Sequence, residues 1–159
     1  MDLFTRQLAR SRALRGLILA PALCSAFVLV NNGEEDVANG FIGTTTNLTT
    51  LILRLFQNNI TPAETDVTAT YTEATFTGYS SISLTPGSWT VTPGAPTLAA
   101  YAQQTFTSSA GSQNQSIYGY HMTRTTNGRL AIAERFTDGP YVIVNNGDAI
   151  KVTPNVNFD

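Results

Sequence analysis

Two Asn-Gly pairs, at residues 127–128 and 146–147, constrain the fold of this 159-residue chain more than any other feature. Each pair stands between two runs that are rich in β-branched, aromatic and other apolar residues. Asn and Gly tolerate the positive φ angles that a two-residue type I′ turn requires, and the twist of that turn matches the strands that it joins. We therefore predict two antiparallel hairpins, one joining residues 121–123 to 130–136 and the other joining residues 141–144 to 149–152.

Short β-rich runs separated by turn residues continue upstream as far as residue 48. Residues 51–56 are apolar enough for a central strand that is buried on most of both faces. Pro-Gly and Gly-Ser pairs separate the later runs, as turns between short strands require. The pattern predicts an all-β domain over residues 48–159, a β-sandwich of jelly-roll or immunoglobulin type. The further predicted strands are residues 75–84, 88–92, 101–107 and 115–123, and one short helical turn is expected after Thr61.

Residues 1–47 form a separate N-terminal arm in this interpretation. A short β-run at residues 27–30 is followed by the Asn31-Asn32-Gly33 sequence, which is typical of a turn. The three consecutive acids at 34–36 then begin a connector that we expect to be solvated. The arm therefore comprises a helix, a short β-run and a hinge to the sandwich.

The first 30 residues admit two main interpretations. Arginines lead into an apolar run, which is the pattern of a secretory signal peptide. However, Pro21 interrupts the run, and no small-x-small cleavage site follows it. The alternative is an amphipathic docking helix that ends at Pro21 and contacts a neighbouring subunit, with a helix on a membrane surface as a third option. The interface residues of the docking helix would be Leu3, Phe4, Leu8, Leu14, Leu17 and Ile18.

The residue types that carry catalysis or bind metals are scarce. His121 and Cys24 are the only residues of their kinds, so a typical zinc site and a disulfide framework are excluded. No nucleophile motif accompanies His121, which we interpret as a structural residue at the surface or half-buried. Glu134 and Arg135 point to opposite faces of a strand, so one of them needs a buried partner, for which Arg54 is a candidate. We expect no enzyme activity, no catalytic residues, no metal site and no cofactor.

Composition narrows the partners of the protein. Charged residues make up only 13% of the chain and the net charge is −2, which leaves no electrostatic footprint for nucleic acid. Lys151 is the only lysine, and a surface poor in flexible charges suits burial against other subunits. Both an assembly subunit and a secreted β-domain have this composition. The spread of aromatic residues over the strands predicts core packing, with an exposed carbohydrate-binding platform as the alternative.

A resemblance to a known family is carried by residues 53–62, 71–79 and 104–106, and above all near the C-terminus by residues 133–136, 140–141, 145–148 and 150–154. Through these segments, residues 53–154 resemble a family of small virion structural proteins of tailed bacteriophages. It implies a structural role in the virion, most specifically as a capsid decoration (cement) protein that clamps neighbouring capsomers and needs no catalytic residue. Such a protein binds the major capsid protein or other virion proteins and forms a homo-oligomer, often a trimer, with no specific nucleic acid and no membrane.

Two alternatives to capsid decoration stay open. The protein could be a component of the neck, the tail or a fibre adaptor, which would keep it in the virion at another position. It could also be a receptor-binding or glycan-binding β-module, which belongs to a different functional class. Copy number in the particle distinguishes the first alternative, and clustered exposed tyrosines would favour the second.

Overall fold

The structure is a computed structural model that describes residues 27–41 and 50–158. This part of the chain is mostly β, with one α-helix, and its sheets are open. The predicted helix before Pro21 and its six apolar interface residues, Leu3, Phe4, Leu8, Leu14, Leu17 and Ile18, lie outside the described residues. The elements are β1 (Val28–Leu29), α1 (Asn31–Phe41), β2 (Leu51–Phe56), β3 (Ile82–Leu84), β4 (Thr90–Thr92), β5 (Thr97–Ala100), β6 (Gln104–Thr107), β7 (Gln115–Ile117), β8 (Gly119–Arg124), β9 (Leu130–Arg135), β10 (Tyr141–Ile143), β11 (Ala149–Val152) and β12 (Asn155–Phe158).

The largest sheet has five antiparallel strands in the order β1-β9-β8-β2-β3. β2 lies inside this sheet, as its apolar sequence predicts, and pairs with β8 from Leu51↔Arg124 to Phe56↔Gly119. Successive side chains of β2 point to opposite faces, so Leu55 and Phe56 enter different apolar clusters. The sheet is therefore covered by apolar side chains on both faces.

Three smaller antiparallel sheets complete the described fold: β12-β5-β4, β11-β6 and β10-β7. Their inward residues join the main core, where Phe106, Ile117, Ile143 and Val156 pack with residues of the five-stranded sheet. A second, smaller cluster contains Phe56, Tyr71, Val30, Leu130 and Ala133. The main core therefore brings together side chains from strands that are distant in sequence.

The first predicted hairpin is confirmed, but its turn is longer than expected. β8 and β9 pair antiparallel, and Gly128 has the positive φ of +68° that favours glycine. Asn127 is not in the left-handed region, so the type I′ turn is wrong. Instead, the amide of Arg124 donates to the carbonyl of Arg129, and that of Gly128 donates to the carbonyl of Arg124. A longer loop therefore joins the two strands.

The second predicted hairpin is wrong, although a turn does form at Gly147, where φ is +87°. β10 pairs with β7 and β11 pairs with β6, so the two strands that flank the turn go to different partners. The carboxylate of Asp148 accepts from the amides of Val144 and Asn145, at 2.8 and 2.7 Å. The amide of Gly147 donates to the carbonyl of Ser108, 2.9 Å away. These contacts redirect the chain at the turn.

A helix replaces the turn and connector predicted after residue 30. The β-run at residues 27–30 is confirmed as β1, but α1 begins at Asn31, and the amides of Gly33 and Glu34 donate to the carbonyl of Val30. A Cβ added at Gly33 would lie 2.3 Å from the carbonyl oxygen of Ala131. Gly33 therefore permits a close approach of α1 to β9.

Several other predicted strands are shorter in the structure. Of residues 75–84 only β3 is a strand, and residues 115–123 divide into β7 and β8. The division occurs at Tyr118, whose amide donates to the carbonyl of Phe56 and whose carbonyl accepts from the amide of Phe136. After Thr61 the chain forms a single turn, in which the amide of Asp66 donates to the carbonyl of Ala63, but no helix is assigned there, and a 3₁₀ turn forms later, at Thr68–Thr70. Tertiary hydrogen bonds outweigh local strand preference at these positions.

Candidate binding cleft

An apolar cleft of about 330 Å³ lies between α1, one end of the five-stranded sheet and the β12-β5-β4 sheet. Its walls come from elements that are far apart in sequence. The apolar residues that line it include Leu29, Leu51, Trp89, Val91 and Val156. A volume of this size falls at the lower end of the range for ligand-binding pockets. The cleft can therefore hold a few apolar side chains or a small apolar molecule.

The rim of the cleft carries three of the large apolar residues that are exposed in the described structure. Val91 is 62% exposed, Phe158 is 45% exposed and Val37 is 37% exposed. Val91 belongs to β4, which lies at the edge of its sheet and has all three of its residues exposed. A contiguous exposed apolar surface beside an edge strand is typical of a protein-binding site.

An ion pair forms the polar part of the cleft wall. Arg124 donates from Nη1 to Oδ1 of Asp36 at 2.6 Å, and the side chain of Asp36 is only 9% exposed. Within the described part of the chain, Asp36 Oδ2 and Arg124 Nε are buried and have no hydrogen-bond partner. The wall thus contains one carboxylate oxygen and one guanidinium nitrogen that are buried without a hydrogen-bond partner in this part of the chain.

The three acidic residues 34–36 lie in the helix α1 instead of a connector, and of the three only Asp36 is buried, whereas Glu34 and Glu35 are solvated as predicted. Asp36 is buried against Arg124, and Glu35 accepts from Arg129 at 2.8 Å. Arg129 also donates to the side chain of Asn32. Glu35 and Asp36 are consecutive in α1 and pair with two different arginines of the β8–β9 hairpin. These ion pairs fix α1 on the hairpin.

His121, predicted to be at the surface or half-buried, is only 2% exposed. Its ring stacks on Tyr71 with centroids 5.0 Å apart, and Nδ1 has no partner among the described residues. Burial and, to a smaller extent, the positive charge of Arg54 together lower the pKa of His121 to about 4. The imidazole is therefore neutral at pH 7, and its role is to pack against Tyr71 in the interior.

Glu134 is the residue of the Glu134-Arg135 pair that faces the interior, and it is 2% exposed. Its carboxylate accepts from the hydroxyl of Tyr120, and the expected partner, Arg54, pairs with Glu73 instead. Glu73 also accepts from the hydroxyl of Tyr79 at 2.8 Å. Burial is the main cause that raises the pKa of Tyr79, and the negative charge of Glu73 raises it further. Arg54, Glu73 and Tyr79 thus form one polar group, and Tyr120 and Glu134 form another.

The aromatic residues serve mainly as core. Tyr71, Phe76, Phe106 and Tyr120 are all buried, as predicted for packing residues. Trp89 packs edge-on against Tyr101 at 5.2 Å and contributes to the cleft. The aromatic residues named here therefore do not form an exposed platform for a carbohydrate.

Sequence reasoning did not identify the cleft. The strand at residues 88–92 was predicted, but nothing in its sequence indicates that Val91 is exposed. The signal that could have revealed it is the alternation of the apolar residues Val156 and Phe158 with asparagines in β12. Both residues line the cleft, and Phe158 is exposed. No pattern in the sequence indicates that α1 lies beside these residues.

Within residues 27–41 and 50–158, no group of three or more His, Cys, Asp or Glu residues could hold a metal ion. No helix in the same residues is long and apolar enough to cross a membrane. Comparisons of the chain with protein families, with curated proteins and with solved structures found no match.

Proposed function

We propose that this protein is a structural subunit of a tailed bacteriophage virion, most specifically a capsid decoration protein that stabilises the head by clamping neighbouring capsomers. The observation that carries the proposal is the exposed apolar surface around the cleft. Val91, Phe158 and Val37 together offer a neighbouring protein a surface that would otherwise remain in contact with water. Burial of such a surface is favourable in proportion to its apolar area.

The edge strand β4 supports the same proposal. Thr90, Val91 and Thr92 are exposed, and β4 pairs on one side only among the described strands. An edge strand of this kind can accept a strand from another chain, and no lysine or proline within it opposes such pairing. The low share of charged residues, 13%, also favours burial between subunits.

The described sheets support a two-layer sandwich as the body of this subunit. Residues of the smaller sheets pack across the main core from β2, β8 and β9, as facing sheets do in jelly-roll and immunoglobulin-like folds. In the proposed assembly the sandwich forms homo-oligomers, a trimer among them, on the capsid surface and binds the major capsid protein. Binding to the mature shell alone stabilises that shell by mass action, and it requires neither a cofactor nor catalysis.

The test has two parts. The first is the amount of this protein in purified particles, measured relative to the major capsid protein on a stained gel. An amount comparable to that of the capsid protein supports decoration, a far smaller but constant amount supports a neck or tail component, and absence contradicts a virion role.

The second part compares two variants in their attachment to particles that lack the protein. Val91→Glu places a charge on the cleft rim and should reduce attachment strongly. Val67→Glu is the matched control, because Val67 is 51% exposed and does not line the cleft. Equal attachment of the two variants would mean that the cleft surface is not the contact.

A further inference from the structure

We propose that the cleft binds the apolar N-terminal segment, residues 14–23, of a second copy of this chain. The inference rests on the proposed function and deepens it, because it names the contact that links one subunit to the next. The cleft and its occupant then belong to one chain type, so each copy both donates a segment and receives one. Such a heterologous contact generates a ring or an extended array of subunits.

The polar atoms of the cleft wall indicate a peptide. Asp36 Oδ2 is a buried acceptor and Arg124 Nε a buried donor, and neither has a partner within the described residues. A buried polar group without a hydrogen bond is costly, so an occupant that satisfies both is favoured. A peptide backbone carries an N–H and a C=O in every residue except proline, whereas a hydrocarbon ligand offers neither. The pair therefore favours a peptide with apolar side chains.

Residues 14–23 have the composition that the cleft requires. Leu14, Leu17, Ile18, Leu19 and Leu23 supply apolar side chains, and Arg15 is the only charged residue of the segment. Residues 17–23 contain no charge, and the cleft has room for a few side chains of this kind. Pro21 ends the helix that the sequence predicts, and the restriction that it places on Ala20 favours an extended backbone only from that point to Leu23. This extended end of the segment, residues 20–23, fits a cleft that lies beside an open edge strand.

The direction of β1 favours residues 14–23 of a second copy over the same residues of the copy that forms the cleft. β1 runs antiparallel to β9, with Val28 opposite Ala133 and Leu29 opposite Ile132. The chain therefore enters β1 from the Arg135 end of β9, whereas the ion pair of the cleft wall lies at the Leu130 end, where Arg124 stands opposite Leu51.

Phe27 fixes this entry point, because it packs against the main core. The segment of the same copy would have to reverse direction immediately before Phe27 and return along β1 to reach the ion pair. A segment from a second copy has no such requirement.

The only cysteine of the chain, Cys24, makes the proposal testable with full-length protein. One copy keeps Cys24, and a tagged second copy carries Cys24→Ser together with Val37→Cys on the cleft rim. A mixture of the two, treated with a short bismaleimide, should yield a cross-linked heterodimer. The control copy carries Cys24→Ser and Val67→Cys, which places the thiol on an exposed site away from the cleft, and it should yield none.

Charge substitutions then identify the contact. Leu19→Glu in the copy that keeps Cys24, or Val91→Glu in the tagged copy, should reduce the heterodimer yield at least about tenfold, because each buries a charge in an apolar contact. Val67→Glu in the tagged copy should leave the yield unchanged. Equal yields from all three would overturn the proposal.

Two further outcomes would also overturn it. A chain that carries both Cys24 and Val37→Cys would show only an intramolecular cross-link if the segment binds its own copy. Mass spectrometry of the particle-borne protein would show a start after residue 23 if the segment is removed. The failure of the virion role is distinguishable, because the cross-linking uses purified protein: heterodimers from a protein that is absent from particles would uphold the segment exchange and contradict only the proposed function.

Discussion

Tyr71 stacks on His121 inside the fold, with ring centroids 5.0 Å apart and ring planes inclined by 22°. Phe56 packs edge-on against Tyr71, also at 5.0 Å. The three rings form an aromatic group from a strand, a loop and the adjacent strand, and the imidazole is 2% exposed. Because it is buried, the histidine can be accommodated as a neutral ring at far lower cost than as a cation.

This environment predicts a loss of stability in mild acid. The folded-state pKa of His121 is lowered to about 4, against 6.5 for the unfolded chain, so the unfolded state binds a proton at higher pH than the folded state does. Stability is therefore full above pH 6.5 and falls as the pH decreases from 6.5 towards 4, by about 3 kcal/mol in total. Urea denaturation at a series of pH values measures this loss.

His121→Phe supplies the control for the pH series. Phenylalanine keeps the stacking on Tyr71 and has no titrating group, so the variant should lack this component of the pH dependence. The difference in free energy of unfolding between the variant and the wild type should grow by about 2–3 kcal/mol between pH 7 and pH 4.5. Parallel curves for the two proteins would contradict the assignment to His121.

The two ion pairs of α1 should differ in their contribution to stability. Asp36→Ala leaves Arg124 without its carboxylate in a site where the two side chains are 17% and 9% exposed, and we expect a loss of about 3 kcal/mol. Glu35→Ala breaks a pair whose side chains are 35% and 59% exposed, and the loss should be about 0.5 kcal/mol. Thermal and chemical denaturation measure both, and similar losses would contradict the difference in burial.

Tyr120→Phe should destabilise the core without changing its volume much. The hydroxyl of Tyr120 donates to the buried carboxylate of Glu134, and both residues are at most 2% exposed. Removal of the donor leaves a buried acceptor less well satisfied, which costs about 2 kcal/mol. Tyr118→Phe is the matched control, because Tyr118 is only partly buried and Arg135 lies 5.1 Å over its ring, a contact that phenylalanine keeps. The control should be close to wild type in denaturation midpoint.

Gly119→Ala tests the close packing of β8. A Cβ at this position would lie 2.1 Å from the carbonyl oxygen of Glu134 and 2.5 Å from the ring of Phe56, so backbone and core must both shift. We expect a loss of about 3 kcal/mol. Gly111→Ala, where a Cβ meets nothing within 4 Å, should change the stability by less than about 0.5 kcal/mol. Tolerance of alanine at residue 119 in a denaturation series would contradict the described packing of β8.

Several elements were predictable because their signals are local. β2 has a continuous apolar sequence, β9 and β11 follow turn residues, and Gly128 and Gly147 adopt the positive φ angles that their turns require. The scarcity of histidine and cysteine was likewise a property of composition, as was the low charge. Local propensities and residue counts can be determined without knowing which residues meet across the core.

Strand pairing was not predictable in the same way. The turn at Asn146-Gly147 fixes where the chain bends, but Asp148 and Ser108 decide that β10 and β11 separate, through bonds to atoms that only the fold brings near. In the sequence, the acidic residues of α1 resemble a solvated connector, because their partners Arg124 and Arg129 belong to a hairpin that is distant along the chain. Side chains of this kind have two plausible environments, and the sequence does not distinguish between them.

The sequence by itself therefore determined the β class, the positions of the main turns and the scarcity of catalytic residue types. Only the tertiary structure decided the strand partners, the burial of His121 and Glu134, and the cleft between α1 and the two sheets. The physical reason is the range of the interactions. Turns and strand propensities act between neighbours in the chain, whereas the cleft joins Leu29, Val91 and Val156, which meet only when the whole core has formed.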